Sequence, residues 1–300
     1  MKTKKNDVCA IVVTYNRLEK LKRCLSALKD QSVFCDILVI NNFSDDGTSD
    51  FLSKQSALNE NLFFIDLNEN IGGAGGFSIG LKEAYQRGYL HFWLMDDDCI
   101  ANKNALKELI ENSQKFKNEY GFLSSLVRWI DGSLCAMNNQ YRSFFQKYTY
   151  DGEEPSEIIM ATFAGLFITR KVVEDVGLPF KDFFIWADDL EYTRRISRSG
   201  YKNYVVPTSV IVHEIHSNDK VGIQSDAKNR MWRYKYLYRN EYYIYKREGI
   251  AGMIYYRTRV LVHILRVIAS NADNKKEMID IILKSCREGK SFNPEIEKVI

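Results

Sequence analysis

Three consecutive aspartates, Asp96-Asp97-Asp98, directly follow the apolar run Phe92-Trp93-Leu94-Met95. Acidic residues there can open a turn and favour the N-terminus of a following helix, near Asn104, through the helix dipole, which accounts for one or two of them. Three at the end of a buried strand repel one another unless a cation neutralises them. Hard oxygen ligands of this kind suit Mg²⁺ or Mn²⁺ bridging a diphosphate.

A second acidic group, Trp186-Ala187-Asp188-Asp189-Leu190-Glu191, opens a helix that ends at Gly200. Asp188 and Glu191 have the D-x-x-E spacing of a capping box, in which each satisfies backbone donors at a helix start. Asp189 is left over beside an aromatic platform, where a general base for an acceptor hydroxyl is useful. His213 ends the run Val210-Ile211-Val212. It reads either as a hydrogen-bonded structural histidine or, if the fold brings it to the triplet, as a further metal contact. The stretch Asn70-Ile71-Gly72-Gly73-Ala74-Gly75-Gly76-Phe77 lies between an expected strand and an expected helix. Backbone N–H groups there can approach phosphates or a sugar closely; the alternative is a turn with tight helix packing. A dinucleotide fingerprint starting at Gly73 needs glycine where Ser78 stands, and a P-loop through Gly75 and Gly80 needs Lys-Ser/Thr where Leu81-Lys82 stands.

The elements that must hold these residues form an alternating pattern. Val8 to Thr14, Asp36 to Asn41, Asn61 to Leu67 and His91 to Met95 read as strands. Leu18, Leu21, Leu25 and Leu28 recur at helical spacing, and Phe77 to Tyr89 reads as a helix. Strands crossing over through helices make a parallel α/β sheet, which binds ligands beyond the carboxyl ends of its strands. Tyr15-Asn16-Arg17, Asn41-Asn42, the glycine stretch and the aspartate triplet all fall at such ends. Residues 122–168 mix strand-like runs with a polar loop near 138–156, and the chain turns helical beyond about residue 224.

Composition narrows the class. With 45% apolar and 27% charged residues the chain is a folded globular protein rather than a disordered one. Six cysteines without a C-x-x-C pair indicate neither a zinc cluster nor a disulfide framework, which fits reduced thiols and a cytoplasmic setting. Met1 to Asp7 carries lysines as a signal peptide does, but the apolar run Val8 to Val13 that follows is too short for one. Val260 to Ala269 is interrupted by His263 and Arg266 and falls short of the roughly 20 residues that span a bilayer. The net charge of +3 hides an asymmetry, because residues 228–267 hold ten Lys or Arg against two Glu. There Trp232, Tyr234, Tyr236, Tyr238, Tyr242, Tyr243 and Tyr245 interleave with cations. Part of this stripe must be core. Its functional face suits an anionic membrane surface better than nucleic acid, since no RNA-binding signature accompanies it. The expected organisation is a catalytic domain over 1–223 and a helical, basic and aromatic extension over 224–300.

With these motifs in order, the chain resembles the family 2 glycosyltransferases of the GT-A fold, in their bacterial rhamnosyltransferase and galactofuranosyltransferase branch. The signposts are Val12 to Arg17, Val39-Ile40-Asn41-Asn42 with Ser44 and Gly47-Thr48, Asn70 to Phe77, Asp96 to Asp98, Trp186 to Glu191, and His213. The resemblance implies a Rossmann-like, mostly parallel central sheet with a C-terminal helical extension. It implies an inverting, Mn²⁺- or Mg²⁺-dependent transfer from a nucleotide sugar to a glycan or lipid-linked acceptor, at the inner membrane face. Thr14, Asn16, Arg17 and Asn41 then contact the nucleotide, and Gly73, Gly75, Gly76, Asp96 and Asp97 the donor. Asp96, Asp98 and His213 hold the metal, Asp189 with Asp188 supplies the base, and Trp186 and Glu191 meet the acceptor. Asn41 stands where family members commonly carry aspartate; its amide oxygen can still accept from a uracil or thymine N3–H. Arg239-Asn240 also looks like this branch. The donor leans to UDP-galactofuranose, with dTDP-rhamnose as the alternative. Two other classes compete: a sugar-nucleotide-binding protein without turnover, and a nucleotidyltransferase, which would carry a glycine-rich phosphate loop where Tyr15-Asn16-Arg17-Leu18 has no glycine.

Overall fold

A computed structural model describes residues 6–143, 145–149, 152–219 and 222–299. Residues 1–5 of the lysine-rich start lie outside the described residues. The first strands are short apolar runs. They are β1 (Val8–Thr14) and β2 (Asp36–Asn41), followed by β3 (Leu62–Asp66) and β4 (His91–Asp96). Both β1 and β2 are buried along their whole length, as strands covered on both faces must be, and β3, at the sheet edge, is only partly buried. All four run parallel, in the spatial order β3-β2-β1-β4. The register sets Thr14 beside Asn41 and Val13 beside Asp96, so their polar carboxyl ends meet along one edge.

Helices close both faces. On one side α1 (Leu18–Lys29) buries Leu21, Cys24, Leu25 and Leu28, the i, i+3/i+4 stripe that makes it a helix at all. Leu21, fully buried, contributes about 1.5–3 kcal/mol by that burial. On the same side pack α2 (Thr48–Leu58), whose Leu52 joins that core, and, farther along, α4 (Ala105–Lys115). On the other side lies α3 (Gly72–Gln86). Its start differs from expectation, because the glycines at 72–76 are its first turns and not a loop. Close packing explains the composition: a Cβ on Gly76 would meet Val13 at 2.6 Å, and one on Gly80 would meet Ile11 at 2.6 Å. Gly73 alone among the glycines of α3 faces open space.

After β4 the chain doubles back through the short β5 (Cys99–Ala101) and α4 into β6 (Phe122–Arg128). A small hairpin, β7 (Tyr141–Ser143) and β8 (Gln146–Lys147), precedes β9 (Ser156–Glu157), β10 (Leu166–Thr169) and α5 (Arg170–Val176). A 3-10 turn (Lys181–Phe183), α6 (Asp188–Arg198) and β11 (Tyr204–His213) complete the sheet. Its full order is β3-β2-β1-β4-β10-β6-β11-β5, with β10 antiparallel to β4 and β6, and β5 antiparallel to β11. The last pairing sets Cys99 opposite His213 and thereby carries the histidine to the aspartate triplet.

The remaining chain forms a 3-10 turn (Lys228–Arg233), α7 (Tyr234–Lys246), α8 (Gly249–Ala269) and α9 (Lys275–Ser291). Part of the aromatic stripe faces inward: Tyr234, Tyr238 and Tyr243 are buried in α7, Tyr236, Tyr242 and Tyr245 are half-buried, and Trp232 is exposed. Tyr238 joins Met231, Val267, Met278 and Ile282 in a core of the extension's own. No helix among the described residues is long and apolar enough to cross a membrane.

Candidate active site

Ligand atoms of Asp96, Asp98, Cys99 and His213 all lie within 4.8 Å of one another at the carboxyl ends of β4 and β11. His213 Nε2 is 2.9 Å from Asp98 Oδ1, and its Nδ1 is 2.6 Å from Asn138 Oδ1. The other Asp98 oxygen accepts from Arg17 at 2.8 Å and Lys20 at 3.0 Å. Burial pushes the Asp98 carboxyl up, but the His213 bond and charge, with Arg17 and Lys20, hold it well below the usual carboxylate range. Burial likewise lowers His213, yet the bonds to Asp98 and Cys135 outweigh it and raise the imidazole to about 10. Asp97 turns the other way and accepts from the Thr14 hydroxyl at 2.7 Å. Burial, against Arg17, raises its carboxyl to about 7.

The Asp96 carboxylate takes no hydrogen bond among the described residues, although it is only half-exposed. An unpartnered carboxylate beside Asp98 and an imidazole is a donor set that fits a divalent cation of the Mg²⁺ or Mn²⁺ kind. Burial pushes the Cys99 thiol well up, so it is protonated and a poor ligand. Loading such a site would displace the proton that His213 and Asp98 now share.

The second acidic group sits on a strained turn. Phe184, Trp186 and Ala187 all have left-handed backbone, at φ 62°, 66° and 67°, a conformation that costs a non-glycine residue about 1–3 kcal/mol and clusters at functional sites. Asn240 of α7, fully buried, holds this turn by donating to the carbonyls of Phe183 (3.0 Å), Ile185 (3.3 Å) and Trp186 (2.9 Å). Arg239 donates to Asp182 O at 2.5 Å and to Asn240 Oδ1. From the sheet side, Gly72 closes against the same turn: its Cβ would lie 1.9 Å from Phe184 O, and its φ is +76°. The turn delivers Asp188, buried, and Asp189, half-buried, at the start of α6. Burial raises both carboxyls. The Asp189 charge adds to the rise at Asp188, and Asp96, an electrostatic neighbour of both, pushes each further.

Several expectations change here. The capping box does not form, because the N-cap is Ala187 and the helix therefore begins one residue too early for the D-x-x-E register. Glu191 instead pairs with Arg195 at 2.9 Å, the i,i+4 partner whose guanidinium also donates to Leu178 O. Glu191 is consequently buried in an internal ion pair and is not placed to meet an acceptor. Trp186 is half-buried, packed edge-on against Tyr234 at 5.1 Å. Gly75 and Gly76 are buried in helix packing and present no open cradle.

At the carboxyl ends of β2 and β3, Asn41 donates to Asp66 at 2.7 Å and accepts from Ser44 N at 3.2 Å. Asn16 Oδ1 accepts from Asp45 N at 2.8 Å, which ties the first loop to the second. Asn42 accepts from Ile71 N and donates to Asn70, fixing the start of α3. Asp46 accepts from Leu18 N and from Thr48, so one carboxylate serves the first turns of two helices. Sequence reasoning missed Lys20, Cys99, Asn138 and Asp66. Lys20 had a local signal, since it lies one helical turn after Arg17 on the same face of α1. Asn138 lay in a polar loop with no periodicity to read.

Comparison with known proteins bears on the family and the fold. The sequence profile of glycosyl transferase family 2 matches residues 9–177. The chain is 24% identical over 269 residues to the galactofuranosyltransferase GlfT1 of Mycobacterium tuberculosis, covering 83% of this chain and 85% of that protein. It is 25% identical over 290 residues to the dTDP-rhamnosyl transferase RfbF of Shigella flexneri, covering 93% and 94%. Among solved structures it superposes on S. aureus TarS 1–349 in complex with UDP with a TM-score of 0.54 and 16% identity, covering 95% of this chain and 72% of that one. With GalNAc-T7 in complex with UDP, GalNAc and Mn²⁺ the TM-score is 0.58 at 15% identity, covering 92% and 56%. The chain spans 44% of the longer TarS structure, so these structural likenesses bear on the fold, which is the GT-A fold with C-terminal helices. Because the profile takes in more than half of the sequence, the chain belongs to glycosyl transferase family 2.

Proposed function

We propose that this chain is a metal-dependent, inverting glycosyltransferase that moves galactofuranose from UDP-galactofuranose onto a hydroxyl of a lipid-linked or polysaccharide acceptor, working in the cytoplasm at the inner membrane face. The catalytic unit is residues 1–223 and the extension is 224–300. One observation carries the reading: a divalent-cation donor set and a half-buried carboxylate with a raised pKa are electrostatic neighbours, through Asp96 and Asp189. A cation held by Asp96, Asp98 and His213 would offset charge on the departing nucleotide diphosphate. Arg17 and Lys20, which now rest on Asp98, are placed to turn toward the same phosphates. Asp189 takes the proton of the acceptor hydroxyl, and its raised pKa matches that task near neutral pH. Direct attack inverts the anomeric centre and needs no enzyme nucleophile.

The similarity to GlfT1 supports the galactofuranose reading; the longer match to RfbF supports dTDP-rhamnose as the second. Asn41 and Asp66 offer oxygen acceptors to an N3–H that uracil and thymine share, so this end favours neither base. The test is nucleotide diphosphate release from a panel of UDP- and dTDP-sugars, with Mn²⁺, Mg²⁺ or chelator, in the presence of a lipid-linked acceptor extract. Metal-dependent release from UDP-galactofuranose alone is expected. Tight nucleotide binding with no release from any donor would replace the enzyme reading with that of a binding protein.

A further inference from the structure

Tyr234 and Tyr238 are spent on the extension's own core and Tyr243 packs on Phe180 and Phe183, yet α8 leaves a large apolar surface uncovered. Ile250 (82%), Ile254 (61%), Leu261 (56%), Leu265 (54%) and Ile268 (54%) are all exposed. At 100° per residue these five fall within an arc of about 60° and extend about 27 Å along the helix. The opposite face, through Gly252, Tyr256 and Val267, is buried against the rest of the extension. The helix contains no Asp or Glu; exposed Arg257 stands about 20° beyond one edge of the stripe, and exposed Arg266 about 100° beyond the other. An aliphatic ridge on a helix whose only charged side chains are cationic is complementary to an anionic lipid surface, where the apolar side chains enter the acyl boundary and the arginines stay at the headgroups. A second copy is a poorer occupant. The ridge offers about 270 Å² per partner, well below the roughly 800 Å² that a stable dimer buries on each side.

The inward side of the same helix is tied to α7. Arg259, about 150° round the helix from the centre of the ridge, pairs with the buried Glu241 at 2.7 Å. Both are electrostatic neighbours of Tyr141, which also neighbours Asp189. We propose that α8 lies in the interface plane of an anionic membrane, seated by Ile250, Ile254, Leu261, Leu265 and Ile268 and held by Arg257 and Arg266. This deepens the inner-membrane-face part of the proposed function, names the element that makes the contact, and does not depend on the transferase reading.

The test is co-flotation of the full chain with phosphatidylcholine vesicles, with and without phosphatidylglycerol. The wild type is expected to float with the anionic vesicles and far less with neutral ones. The variant Ile254→Glu/Leu261→Glu/Leu265→Glu is expected to lose more than about tenfold in vesicle affinity, with unchanged circular dichroism and unchanged donor turnover on a short soluble acceptor. Should that variant misfold, Arg257→Gln/Arg266→Gln carries the test through loss of the preference for anionic lipid. The proposal is overturned if the wild type fails to float, if the variants float as the wild type does, or if light scattering shows a dimer that the triple variant splits. Flotation without donor turnover would sink the transferase reading and leave the membrane surface standing.

Discussion

Asn240 is the residue on which the strained turn before Asp188 depends. Its amide donates to the carbonyls of Phe183 and Trp186 at 3.0 and 2.9 Å, reaches that of Ile185 at 3.3 Å, and its oxygen accepts from Arg239. Replacing it with alanine removes two well-formed bonds, at about 0.5–1.5 kcal/mol each, and leaves the Trp186 carbonyl without its donor at about 1–3 kcal/mol, while that of Phe183 keeps Ile185 N at 2.7 Å. Allowing for partial relaxation, Asn240→Ala should destabilise the protein by about 2–4 kcal/mol, a large part of the roughly 5–15 kcal/mol typical of a folded domain. The freed turn would relax its left-handed residues and carry Asp189 with it. A displacement of about 1 Å at a reacting group costs on the order of a hundredfold in rate. Urea denaturation measures the first effect, and steady-state kinetics separates the second. On the proposed assignment of nucleotide contacts to Thr14, Arg17 and Asn41, which β1 and β2 position, turnover should fall while the donor KM holds. Asn240→Asp should be worse than alanine, since it sets a carboxylate against carbonyl oxygens. An alanine variant with wild-type stability and turnover would refute the reasoning, as would an aspartate variant that behaves like the wild type.

Other outcomes follow from the same geometry. Asp189→Asn should cut transfer by about 10²–10⁴-fold while nucleotide binding persists; near-normal turnover would remove Asp189 from the role of base. Asp98→Ala should abolish the response of donor binding to Mn²⁺, measurable by calorimetry with and without the ion, and it frees Arg17, Lys20 and His213 from their shared partner. Because burial raises the Asp189 carboxyl, it is protonated and inactive as a base at acid pH. The acidic limb of the turnover profile should therefore lie well above the ordinary carboxyl value of about 4, with activity rising as pH rises through it. Gly72→Ala should destabilise by more than about 3 kcal/mol in thermal unfolding, because the new Cβ meets a backbone carbonyl and the φ is left-handed.

The sequence by itself determined the strands on which the site is built. Val8–Thr14 and Asp36–Asn41 are legible to the residue, since a strand buried on both faces is a continuous apolar run and the polar residues that end it mark the ligand-binding edge. The aspartate triplet and Asp188-Asp189 were visible for the same reason, as charges that no core would hold without a task. Tertiary structure decided what those charges touch. Asp98 meets His213 across 115 positions only because β5 turns back antiparallel onto β11, a pairing that local pattern does not encode. Glycines that read locally as a loop form the start of α3, because Val13, Ile11 and Phe184 O approach too closely for any side chain. Periodicity could not tell whether the extension's tyrosines were surface or core, since what covers them is distant in sequence: other helices of the extension for Tyr238, and Phe180 and Phe183 for Tyr243. Spacing along a chain fixes which residues share a face; only the packed partner fixes whether that face is buried, ligating or free.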